Sequence, residues 1–186
     1  MIRKNVFLLV FLLCVLALFS CGDNHPKPTI KKPNIQSTKF KNALVDANKT
    51  NMKRESDEID QYVAHNGWQM TTTGTGLRYM IVKKGTGVLA KPDSNQTFVV
   101  RVKYKKSLLD GTVCYSSDST GPAEFVIGQD NVESGLHEGI QYMHVGDKAV
   151  MILPSHLAFG LVGDGGKIPP RASVLYELEL LSLKVK

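Results

Sequence analysis

The chain has 186 residues and a mass of 20.5 kDa, with 42% hydrophobic and 22% charged residues and a formal charge of +6. That length is in the single-domain range, and the composition excludes a wholly disordered or fibrous chain. Basic residues are interleaved with acidic ones and form no dense tract, so the charge points to solubility rather than to a nucleic-acid partner.

Arg3 and Lys4 precede an uncharged apolar run from Val6 to Phe19, fourteen residues long. As a helix such a run rises about 21 Å, short of a hydrocarbon core of about 30 Å. Residues 1–20 therefore read as a secretory signal peptide. No later segment is apolar enough to span a membrane, which excludes multipass transport. The run stops at Leu18-Phe19-Ser20-Cys21. This resembles a bacterial lipoprotein box, with Phe19 bulkier than the usual residue at its place. The resemblance implies acylation of Cys21 and a periplasm-facing envelope protein, anchored in the outer membrane rather than the inner. A plain signal peptide with an incidental cysteine is the alternative. With Cys14 and Cys21 removed or lipidated, Cys114 is the remaining thiol, so no internal disulfide is expected.

Residues 21–37 are polar, hold Pro26, Pro28 and Pro33, and read as a tether. Residues 38–73 form a helical extension. Phe40, Ala43, Leu44 and Ala47 make one stripe; Ile59, Tyr62 and Val63 make a second, and Asn66-Gly67 is the stop signal. So few apolar positions predict helices that pack on a second protomer or on the main domain. Thr71–Gly76 is rich in hydroxyls and glycine, but no Gly-Lys-Ser/Thr follows, which excludes a phosphate loop.

From residue 74 the pattern turns to strands: Leu77–Val82, Phe98–Tyr104, Thr112–Tyr115, Ala123–Ile127, Ala149–Leu153 and Val174–Leu183. Asp110-Gly111 marks a turn between two of them. In the last strand the even positions Val174, Tyr176, Leu178 and Leu180 are the more consistently apolar, so that face takes the core. Helical spacing returns once, at Val132, Leu136, Ile140 and Met143, interrupted by Gly135 and Gly139. Each glycine costs a helix roughly 1 kcal/mol, which predicts a close backbone approach there. The fold class is α+β: an antiparallel sheet of five to six strands with one short helix.

The titratable residues form no catalytic set. His25, His65, His137, His144 and His156 show no metal-ligand spacing, so neither a metal nor another cofactor is expected. Ser107, Ser116 and Ser117 lack a nucleophile elbow, and Cys114 lies among apolar neighbours. The unusual resource is aromatic. Tyr104, Tyr115, Phe125, Phe159 and Tyr176 fall at strand ends or beside glycine-rich loops, either as plain core or as the walls of an apolar slot.

From Val102 onward the chain resembles the FKBP-type (immunophilin) peptidyl-prolyl cis/trans isomerases. The landmarks run through Val102-Lys103-Tyr104, Asp110-Gly111, Ser116-Ser117, Phe125-Val126-Ile127-Gly128 and Gly135-Leu136-His137-Glu138-Gly139. They continue through Met143–Lys148, Leu153–Gly160, Ile168-Pro169-Pro170 and Leu175–Leu180. The resemblance implies a twisted antiparallel half-barrel wrapped on one short helix, over residues 74–186. It implies a proline pocket lined by Tyr104, Phe125, Val132, Leu136, Phe159 and Tyr176, with the Glu133 backbone N–H donating to the bound peptide. Leu136 replaces the tryptophan common at the pocket floor. Cys114 stands where a phenylalanine is usual, Tyr115 where an acidic residue is usual, and Phe159 where a tyrosine is usual.

The implied activity is non-covalent catalysis of X–Pro rotation, assisting the folding of exported, proline-containing polypeptides. The departures point to weaker polar assistance. The helical extension resembles that of lipoprotein or secreted immunophilins, gliding-motility-associated ones among them, and implies a homodimer through residues 38–65. Two rivals share the same fold: a peptide-binding or holdase module, and a structural lipoprotein of an envelope machine.

Overall fold

The structure, a computed structural model, describes residues 38–92, 97–129 and 131–186. The expected signal peptide, Cys21 and the expected tether lie outside the described residues. Residues 44–186 make one compact unit; of the other, residues 1–43, only 38–43 are described.

The two expected helical stripes lie on one continuous helix, α1 (Thr38–His65), because no proline or glycine interrupts them. Among the described residues seven strands follow: β1 (Thr71–Thr72), β2 (Arg78–Lys83), β3 (Phe98–Leu108), β4 (Val113–Ser116), β5 (Ala123–Val126), β6 (Lys148–Leu153) and β7 (Val174–Val185). Helix α2 (Ser117–Thr120) leaves β4, and α3 (Ser134–Ile140) joins β5 to β6. All pairings are antiparallel, in the order β1-β2-β6-β7-β3-β4, with β5 added to β3. This is the expected α+β half-barrel, with one more strand because the two-residue β1 pairs with β2.

The sheet is covered on both faces. On one, Leu136 and Ile140 of α3 meet Val100, Val102, Met151, Leu153, Tyr176, Leu178 and Leu180 in the main core. The even positions of β7 supply that face, as the alternation predicts. On the other, Ile59 of α1 is fully buried against Val150, Ile152 and Leu175, with Tyr62, Val63 and Trp68 beside it. β6 therefore faces apolar groups on both sides, which is why its sequence is a continuous apolar run rather than an alternation.

Polar contacts fix α1 in place. The Glu55 carboxylate accepts from the Ser155 backbone N–H at 2.6 Å, the Ser155 hydroxyl at 3.0 Å and the Ser173 hydroxyl at 2.7 Å. Buried Arg78 donates to Asp60 at 2.9 Å, the Ser56 hydroxyl at 2.6 Å and the Gly76 carbonyl at 2.6 Å. The helical glycines have the close neighbours their cost predicts. A Cβ on Gly135 would lie 2.6 Å from Leu153 Cγ, and one on Gly139 would strike Met151 Sδ. Among the described residues no helix is long and apolar enough to cross a membrane.

Candidate active site

Strand register builds the site. β3 runs on past Tyr104, and Lys106 lies opposite Tyr115 on β4 and opposite Tyr176 on β7. Residues paired across a sheet share a face, as do residues two apart on one strand, so Tyr104 joins the same group. Phe159 comes from the loop after the Ser155–Leu157 turn, held by Gly160 N–H to the Ser155 carbonyl at 2.7 Å and Arg171 N–H to the Gly160 carbonyl at 2.9 Å.

Four rings thus converge on one point. The Lys106 ammonium lies 5.6 Å from the Tyr104 ring centre, 5.8 Å from Tyr115, 5.2 Å from Phe159 and 5.2 Å from Tyr176. The space among the rings is filled by this side chain, an occupant the sequence reading missed. Its Nζ also lies 2.7 Å from Glu133 Oε1, with the two side chains only 18% and 5% exposed. Glu133 immediately precedes α3 in extended backbone, and its side chain makes no capping bond, leaving the carboxylate to reach Lys106.

The remaining expected residues belong to the core on which these rings pack. Phe125 and Leu136 are buried in the main core, Phe125 with its ring edge-to-face on His137 at 5.6 Å. Val132 packs at the edge of that core. Cys114 is buried, and burial, with the Asp164 charge, pushes its thiol pKa up, away from nucleophilic chemistry. Tyr115 donates to Asp164 Oδ2 at 2.5 Å, which raises the tyrosine pKa and lowers that of the carboxylate.

Tyr176 is fully buried, and its hydroxyl has no hydrogen-bond partner among the described residues. Burial first, then the nearby Glu133 charge, pushes its pKa well above 10, so it stays a neutral donor. Leu161 and Val162, directly after Phe159 and Gly160, are exposed. No group of three or more His, Cys, Asp or Glu among the described residues is placed to hold a metal ion.

These observations describe four aromatic rings gathered around one ammonium on the core side of a half-barrel sheet. The sequence profile described as "FKBP-type peptidyl-prolyl cis-trans isomerase" matches residues 91–181. The chain is 38% identical over 144 residues to the "FKBP-type peptidyl-prolyl cis-trans isomerase FkpA" of Aeromonas hydrophila, covering 73% of this chain and 51% of that protein. It spans about half the length of such curated relatives. It is 34% identical over 110 residues to "FK506-binding protein 1" of Dictyostelium discoideum, covering 59% of this chain and 99% of that protein. The crystal structure of FkpA from Escherichia coli superposes with a TM-score of 0.61 at 30% identity, over 78% of this chain and 65% of that one. Sheet order, slot and sequence agree: the chain belongs to the FKBP-type peptidyl-prolyl cis-trans isomerase family.

Proposed function

We propose that this chain is a lipid-anchored prolyl isomerase of the bacterial envelope that assists the folding of exported proteins. The observation that carries the reading is the convergence of Tyr104, Tyr115, Phe159 and Tyr176 on one slot. X–Pro rotation has a barrier of about 20 kcal/mol because the twisted amide loses resonance. An apolar slot that grips the proline ring and keeps water from its carbonyl favours the twisted, less polarised amide. Phe125, Val132 and Leu136 form its supporting wall, and the Glu133 backbone N–H faces the peptide. Exposed Leu161 and Val162 beside Phe159 extend the apolar surface for a client chain.

The anchor rests on Leu18-Phe19-Ser20-Cys21, with Cys21 acylated, residues 21–37 as tether and residues 74–186 as catalytic domain. An outer-membrane location and the lipoprotein form of the family, the gliding-motility-associated group included, follow from that anchor and the helical extension. Exposed Leu44, Val45 and Met52 on α1 support a homodimer through residues 38–65.

Exchange of a blocked Ala-Leu-Pro-Phe peptide, followed by NMR with the full chain in detergent, tests the activity. Catalysed exchange is expected; an unchanged rate at stoichiometric protein rejects the enzyme. Phe159→Tyr should raise kcat up to about tenfold if a missing hydroxyl limits the rate. A second reading, a peptide-binding module without turnover, is favoured by Lys106 filling the slot. It predicts binding of that peptide without exchange.

A further inference from the structure

Lys106 has no role in turnover in the isomerase reading above, on which this inference rests. A strand lysine ordinarily carries its ammonium to water. This one is turned inward, ion-paired to Glu133 at 2.7 Å and surrounded by four rings at 5.2–5.8 Å, the geometry of a partly desolvated cation–π cage. The Tyr176 hydroxyl is buried and makes no hydrogen bond of full geometry among the described residues. The Glu133 carboxylate acts on it both as a charge and as a loose acceptor, and a buried hydroxyl held short of a good bond is unfavourable.

We infer that Lys106 is an internal occupant of the proline slot, expelled when a proline ring enters, and that the Tyr176 hydroxyl then takes over the Glu133 carboxylate. The exposures decide which charge moves. Glu133 is held at the start of α3 with its side chain 5% exposed, whereas Lys106 is on a flexible four-carbon stem and is 18% exposed. Outside the slot the ammonium regains its hydration. The carboxylate stays behind, and an unpaired charge there would be strongly disfavoured. The Tyr176 O–H is the donor already in place for it, kept neutral by that same surrounding.

The consequence is competition within one molecule. A peptide binds the fraction of molecules whose slot is open, so its apparent affinity falls by that fraction, while a bound peptide turns over as before. Lys106 therefore acts on KM and not on kcat, and Tyr176 sets how far the open form is populated.

The test uses the full chain and the blocked Ala-Leu-Pro-Phe peptide. Ring currents from four aromatics should move the Lys106 Cε methylene protons far upfield. Saturation with peptide should return that signal to the position of exposed lysines and leave the other lysines in place. A signal that stays upfield in the saturated complex overturns the inference and leaves the pocket reading standing. A peptide that binds neither the natural chain nor a Lys106→Ala variant overturns the pocket reading itself. That variant removes the occupant and leaves the Glu133 carboxylate to the Tyr176 hydroxyl. Its KM should fall about tenfold; an unchanged KM overturns the inference. Tyr176→Phe deletes the takeover donor and should raise KM about fivefold; an unchanged KM removes Tyr176 from the exchange.

Discussion

The Tyr115 hydroxyl donates to Asp164 Oδ2 at 2.5 Å, joining the edge strand β4 to the glycine-rich loop after Phe159. Through Oδ1, Asp164 also accepts from the Gly166 N–H at 2.8 Å and the Ile168 N–H at 2.9 Å. Family resemblance expects an acidic residue at position 115. Here the carboxylate comes from the facing loop and the ring from the strand. Tyr115→Asp would face Asp164 with a second carboxylate and lose the bond, so it should lower activity rather than restore it.

Tyr115→Phe isolates that bond. The loop loses one of the three bonds that the Asp164 carboxylate accepts. Amide exchange of Gly166 and Ile168 should then speed up about fivefold while the β7 amides keep their protection. Equal exchange in both proteins would show that the loop holds itself.

Acid should release the same loop. The Asp164 carboxyl lies below its ordinary value of 3.8, chiefly through the Tyr115 hydrogen bond and further through the Ile168 and Gly166 amides, against a desolvation that raises it. A depressed folded-state pKa gives stability that is complete above the unfolded value and is lost as pH falls through the folded one. The loop should be indifferent to pH from neutrality to about pH 4 and loosen below it. The Ile168 amide shift should titrate with a midpoint under 3.8, and Tyr115→Phe should raise that midpoint. A midpoint above the ordinary value in the natural chain contradicts this account.

Helix α1 should contribute to stability through its second half. Ile59 is fully buried on Val150, Ile152 and Leu175, so Ile59→Ala should cost about 3 kcal/mol in urea unfolding. Leu44 is exposed, and Leu44→Ala should change the monomer by less than about 0.5 kcal/mol. A larger, concentration-dependent loss at Leu44 would point to association through α1.

The two glycines of α3 should differ. Either alanine gains roughly 1 kcal/mol of helix propensity. At Gly135 the new Cβ meets Leu153 Cγ at 2.6 Å and Leu157 Cβ at 3.0 Å, atoms close to the backbone. At Gly139 it meets Met151 Sδ and Cε, the far end of a flexible side chain. Gly135→Ala should lose about 1–2 kcal/mol net, and Gly139→Ala less. Calorimetry of both variants decides the order.

Most of the sheet is legible in the sequence because alternation is a local signal. Phe98, Val100 and Val102 announce the inner face of β3, and Val174 to Leu180 that of β7. The inner parity of β3 continues through Tyr104 to Lys106, yet a lysine beside Lys105 reads as a solvated face. Only the partners on β4, β7 and before α3 turn it inward, and those lie up to 70 residues away in the chain. The same limit applies to Ile59. Its stripe is visible, but Leu175, which receives it, sits in a mixed apolar and acidic parity of β7. Phe125 shows the reverse: the aromatic ring is obvious, while its place in the core against His137 is set by α3.

β7 is both the innermost strand of the sheet, with β6 on one side and β3 along eleven paired positions on the other, and the last strand in chain order. During synthesis the segments that flank it therefore emerge first, with their inner edges bare and nothing to join them. The nascent chain stays a clasp without its pin. A product truncated before residue 174 lacks the strand that joins β6 to β3, and its half-barrel stays open.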